Sequence, residues 1–120
     1  MIEVLYEDNH LIAINKNTGD IVQADKTGDI PLSDIIKEYI KKKDKKPGNV
    51  FLGTIHRLDR PTSGVLLYAK TSKALKRMNE KFKKNEIKKT YWAMVNNPPP
   101  NKTGILKNFL KKNKKKNKSY

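Results

Sequence analysis

Cysteine is missing from this sequence, which removes disulfides, thiolate nucleophiles and cysteine-ligated zinc together. Histidine is nearly missing too: His10 and His56 are the only two, too few for an all-histidine metal site. No apolar run approaches the roughly eighteen residues that a membrane span needs. The opening MIEVLYEDNH carries two acids in its first seven positions and no basic stretch, so it does not read as a secretory signal. The phosphate-loop pattern GxxxxGK, the dinucleotide pattern GxGxxG, and the HExxH, CxxC and GxSxG patterns are absent as well. With 36% hydrophobic residues in 120, a thin core can form, in one small domain or one piece of a larger one. The expectation is a cytoplasmic chain with no membrane span and no metal.

Charge, by contrast, is abundant and unevenly placed. The net charge is +15. Residues 1–36 hold seven acids and two lysines, a net of −5; residues 37–100 hold seventeen bases against five acids, a net of +12. The last twenty residues add eight lysines and no acid. Such an excess concentrates polyanions and speeds their capture. A lysine-rich solvated face would look the same, so charge suggests a polyanionic partner without naming a reaction.

Hydrophobic spacing predicts alternating strands and helices, hence an α+β domain with a mixed, largely antiparallel sheet and flanking helices. Residues 2–6 (IEVLY) and 11–15 (LIAIN) flank the polar turn Glu7–His10 and read as a hairpin. Residues 21–24 allow a further short strand, and Gly28 suits a positive φ in the loop DKTGD. Leu32, Ile35, Ile36, Tyr39 and Ile40 fall on one helical face, with Pro31 in its first turn and lysines at its carboxyl end. Strands are expected at 50–55, 65–69 and 90–95. Between the last two, Thr71 or Ser72 caps a helix striped by Leu75, Met78 and Phe82. Three prolines at 98–100 stop the last strand, and a basic tail closes the chain.

The chemistry-bearing segment is the polar loop His56–Gly64, HRLDRPTSG, set between two apolar strands. Two arginines flank Asp59, and a guanidinium within about 4–6 Å keeps a carboxylate ionised. An ionised carboxylate held by rigid strands can act as nucleophile or base toward a bound substrate. Most loop aspartates cap turns or form surface ion pairs, and most lone histidines are hydrogen-bonded structural residues. Residue chemistry alone therefore leaves both readings of Asp59 and of His56 open.

Residues 56–70, HRLDRPTSGVLLYAK, resemble the signature of the RluA-type pseudouridine synthases: His-Arg-Leu-Asp, two variable residues, Thr-Ser-Gly, apolar residues and Ala-Lys. Residues 5–15 with Lys16 and Gly19 resemble the family's opening segment, although Asn17 stands where a proline is expected. Residues 87–95, around Lys88, Tyr91, Ala93 and Val95, resemble its Lys-x-Tyr-x-Ala-x-Val strand. His56 separates the chain from the related small-subunit type, whose loop usually has Gly before Arg-Leu-Asp.

The resemblance implies an RNA pseudouridine synthase, isomerising uridine to pseudouridine in rRNA or tRNA. Asp59 matches the required catalytic aspartate, Arg57 the arginine that holds the flipped-out RNA geometry, and Tyr91 the tyrosine that stacks on the target base. It implies no metal and no organic cofactor, since bonds break and reform within one nucleotide. The family's catalytic domain is longer, and its third motif, with an arginine that pairs with the aspartate, lies past residue 120. Residues 1–120 are thus expected to be the amino-terminal part of that domain, with no S4-like domain, an incomplete sheet and no activity in isolation. The alternative is a non-catalytic basic RNA-binding fragment derived from such an enzyme.

Overall fold

The computed structural model describes residues 2–113 and 118–119, and its chain divides into two compact units, 1–88 and 89–120. The first unit opens with the expected hairpin: β1 (Glu3–Glu7) pairs antiparallel with β2 (Leu11–Lys16). Its turn is closed by Asp8, whose carboxylate accepts the backbone N–H groups of His10 and Leu11, both at 2.7 Å. Helix α1 (Leu32–Lys43) follows, then β3 (Gly53–Thr54), β4 (Gly64–Ala69) and α2 (Ser72–Lys83). The sheet order is β1-β2-β4-β3, and every pairing in it is antiparallel. The α+β class expected from the sequence holds.

Period-two alternation sorts the sheet's two faces. Ile12 pairs with Tyr68 and Ile14 with Leu66, so these four lie on one face, all buried. Leu32, Ile36 and Ile40 of α1, one or two turns apart, join them in a single core with Val22 and Leu58. Ile35, expected on the same helical face, is 39% exposed and lies outside the core. The opposite face takes α2: a Cβ on Gly53, which pairs with Ala69, would stand 2.8 Å from the Leu75 side chain of α2. That contact, and the small buried Ala13, Ala69 and Ala74, permit a close approach of helix to sheet. Thr71 caps α2, its side chain accepting the Ala74 N–H at 3.1 Å.

Three expected strands depart from the sequence reading. Residues 21–24 form none: Ile21 and Val22 are buried, but the Ile21 carbonyl accepts from Leu32 N–H and the Val22 carbonyl from the buried Tyr68 hydroxyl. Satisfied that way, the segment needs no ladder. Of 50–55 only Gly53–Thr54 pairs, and Phe51 is 46% exposed on this sheet edge. The stretch 90–95 is not a strand. In the second unit the described pairing is β5 (Lys112–Asn113) with β6 (Lys118–Ser119), which leaves Tyr91–Val95 without a ladder partner in that unit. Trp92 is 97% exposed there, and Ile105, Leu106, Phe109 and Leu110 are exposed as well. Of the closing lysines, 114–116 lie outside the described residues.

Candidate active site

The loop 56–63 leaves β3 and returns to β4 through Gly64, whose φ of +136° belongs to the region glycine occupies without strain. Along it the side chains alternate. Leu58 is buried in the core beside the α1 and sheet residues, while Arg57 and Asp59 on either side are exposed. The buried leucine thus acts as a plug, and its burial sets which way its two neighbours face. Beyond Asp59 the chain turns back, with the Thr62 N–H donating to the Asp59 carbonyl at 2.9 Å.

A buried lysine holds this turn from beneath. Lys16, at the end of β2, is 0% exposed, and its ammonium donates to three carbonyls: Thr62 at 2.6 Å, Arg60 at 3.0 Å and Asn17 at 3.1 Å. The Arg60 carbonyl also accepts the Gly19 N–H at 2.8 Å. Burial lowers the Lys16 pKa below its usual value, partly opposed by the carboxylates of Asp20 and Asp59 and helped by Arg60. All three ammonium protons are used, and the group's charge lies under the loop that carries Asp59. Sequence reasoning placed Lys16 only as part of an opening motif. An isolated lysine ending an apolar strand, LIAINK, was the available signal.

The loop's first residue is anchored as well. His56 Nε2 accepts the Leu67 backbone N–H of β4 at 3.0 Å, and its ring stacks on Phe82 of α2 with centroids 5.3 Å apart. Arg60 does not turn to Asp59: it pairs with Asp29 at 2.6 Å, in the loop before α1, and this bond raises its pKa. Among the described residues, no salt bridge involves Arg57 or Asp59. Arg57 and Asp59 therefore share one loop face, whereas Tyr91 lies in the second unit and is 62% exposed. A shallow cavity of about 460 Å³ against α1, lined by Lys37, Lys41 and Asn49 among others, contains none of these residues. Among the described residues, no cluster of three or more histidines and acids could hold a metal, and no helix is long and apolar enough to cross a membrane.

The far end of β4 closes the motif. Lys70 donates to Glu7 at 2.6 Å and to the Asp8 carbonyl at 2.9 Å, and Lys43 and Tyr39 of α1 bind the other Glu7 oxygen, each at 3.0 Å. Burial pushes the Glu7 carboxyl up, but the bonds from Lys70, Lys43 and Tyr39 outweigh it and leave its pKa lowered.

The first unit thus presents Asp59 on a clamped loop between β3 and β4 of an antiparallel sheet. The family model described as RNA pseudouridylate synthase matches residues 10–120, and this chain belongs to that family, in agreement with its RluA-type signature. Curated relatives include a tRNA pseudouridine synthase C of Pectobacterium carotovorum subsp. carotovorum, 36% identical over 79% of this chain and 24% of that protein. A ribosomal large subunit pseudouridine synthase C of Buchnera aphidicola subsp. Acyrthosiphon pisum is 42% identical over 77% of this chain and 27% of its own length. Among solved structures, human RNA Pseudouridylate Synthase Domain Containing 4 superposes with a TM-score of 0.59 at 26% identity, covering 70% of this chain and 30% of that one. The chain thus spans about a quarter of the length of these two curated relatives.

Proposed function

We propose that the protein carrying this chain isomerises uridine to pseudouridine in an RNA, with Asp59 as its catalytic residue and residues 1–120 as the amino-terminal part of its catalytic domain. The observation that carries this reading is the loop itself. A solvent-facing aspartate is held by a leucine plug, a closed turn and a buried lysine clamp, although among the described residues no salt bridge uses its carboxylate. Such fixing of a reactive group is what preorganised catalysis requires. The relatives named for tRNA and for the ribosomal large subunit support those two RNA classes as substrates; the cytoplasm as the place of reaction is part of the proposal.

In the reaction the target uridine leaves its stack, its glycosidic C–N bond breaks and a C–C bond forms within the same nucleotide. Flipping costs a few kcal/mol, which contacts in the pocket must offset. Arg57, exposed beside Asp59, supplies a guanidinium for the RNA backbone, and Tyr91 an aromatic face for the base, worth about 1–3 kcal/mol by stacking.

The test is Asp59→Asn in the full-length protein, which keeps the side chain's shape and removes its charge. Pseudouridine formation should be abolished while folding and RNA affinity stay near wild type; a variant that forms product at a rate near wild type would overturn the assignment. One observation favours a second reading for residues 1–120 on their own, a non-catalytic RNA-binding piece: Asp59 has no cationic partner within 4 Å among the described residues. Multiple-turnover conversion by the purified 120-residue chain would dismiss that second reading.

A further inference from the structure

The β3–β4 register sets Gly53 opposite Ala69 and Thr54 opposite Tyr68. Continued by two residues, it would place Ile55 opposite Leu67 and His56 opposite Leu66. The ladder stops at Thr54 instead, and the Leu67 N–H that a continuing strand would face is taken by the His56 imidazole. A side-chain nitrogen stands where a backbone carbonyl would otherwise be.

This substitution has a geometric consequence. The main chain is released from the edge of β4 two residues after the last ladder pair, and the loop toward Asp59 begins there. The ring cannot swing freely, because Phe82 of α2 stacks on it with an interplanar angle of 21°. Strand and helix together therefore fix where the chain departs, three residues before the aspartate. An imidazole nitrogen that accepts a hydrogen bond carries no proton, so Nε2 is the acceptor and a ring hydrogen belongs on Nδ1.

We propose that His56 is a positioning residue for the reaction: its imidazole replaces the missing ladder carbonyl of β3 and fixes the point from which the Asp59 loop leaves the sheet. The proposal rests on the reading of Asp59 as the reacting group. It goes beyond it, because the contacts that carry the role run to the Leu67 backbone of β4 and the Phe82 ring, so that His56 acts through the main chain. A misplacement of about 1 Å at a reacting group costs on the order of a hundredfold in rate.

Two variants of the full-length protein separate this role from simple packing. His56→Phe keeps a ring for the Phe82 stack and removes the acceptor. His56→Gln removes the ring but offers an amide oxygen near the position of Nε2. In the Phe variant kcat should fall about tenfold or more with KM within about twofold, since RNA contacts are untouched. Exchange of the Leu67 amide hydrogen should accelerate in the same variant. The Gln variant should recover most of kcat and of the amide protection. The proposal is overturned if His56→Phe keeps kcat within about twofold of wild type, if Leu67 exchange is unchanged, or if a folded Gln variant is as impaired as the Phe variant. If the wild-type protein forms no pseudouridine, the functional reading fails, yet the exchange arm still decides whether His56 holds the edge of β4.

Discussion

Replacing Lys16 by methionine tests the clamp beneath the loop. The change keeps the length of the stem and removes three hydrogen bonds, to the carbonyls of Asn17, Arg60 and Thr62. These carbonyls do not suffer equally. Arg60 retains the Gly19 N–H at 2.8 Å, and Asn17 is exposed, so water replaces the ammonium there. Thr62, half-buried and bound at 2.6 Å, loses its closest donor. One orphaned carbonyl costs about 1–3 kcal/mol. For a unit of this size each kcal/mol corresponds to about 4–8 °C in Tm. A second signature follows from the lowered Lys16 pKa. Below the ordinary lysine value of 10.5, and above the folded value, the unfolded chain binds the proton more readily than the folded one, so wild-type stability gains as pH rises through that window. The methionine variant should lack this gain. Thermal melts of both proteins across alkaline pH read the two effects together. A variant that melts within about 2 °C of wild type, with the same pH slope, would refute the clamp.

Three further outcomes are expected. Glu7 has a lowered pKa and Asp8 one of about 2, so the stability they contribute is present above 4.5 and 3.8 respectively and is lost as pH falls through their folded values. Glu7→Gln should flatten part of that acid loss, and an unchanged acid melting profile would show that the Lys70–Glu7–Lys43 cluster does not stabilise the carboxylate. Tyr91→Phe should retain RNA affinity while Tyr91→Ala loses about 1–3 kcal/mol; because Tyr91 is 62% exposed, a lowered melting point with unchanged affinity would instead assign it to packing. RNA affinity should fall steeply with salt, by about 0.7–0.9 log units per log unit of salt for each neutralised phosphate, and a flat dependence would reduce the lysines to solvation.

The parts of the fold that the sequence made legible are those where one local signal decides the outcome. The hairpin at Asp8, α1 from Leu32, the threonine cap of α2 and β4 from Gly64 each follow from a turn residue, a period or a cap within a few positions. The failures share a cause. Residues 21–24, 50–55 and 90–95 are β-prone in composition, but strand formation requires a partner, and partners are chosen by distant residues. Val22 is satisfied by a tyrosine hydroxyl 46 positions away, Leu67 by a histidine ring 11 positions back, and Tyr91–Val95 by no ladder among the described residues of its unit. Apolar spacing reports which face could be buried and says nothing about which donor meets which acceptor.

The site shows the same division at finer grain. HRLDRPTSGVLLYAK reads in sequence as one catalytic signature, yet its residues do separate physical tasks. His56 caps a sheet edge, Leu58 fills the core, Gly64 supplies a backbone angle, Tyr68 ties β4 to Val22, and Lys70 closes the hairpin on Glu7. Arg57 and Asp59 face outward, and among the described residues neither side chain enters a salt bridge, whereas Arg60, chemically the equal of Arg57, is spent on Asp29. Two identical side chains flanking one aspartate thus have different fates, settled by the buried Leu58 on one side and the Asp59–Thr62 turn on the other. A motif of this kind is compact in sequence because the supports of a reactive group must sit on the strands that adjoin it. Its supports also reach outside the motif: Lys16, the residue that grips the loop most directly, lies forty residues earlier in the sequence and next to the loop in space.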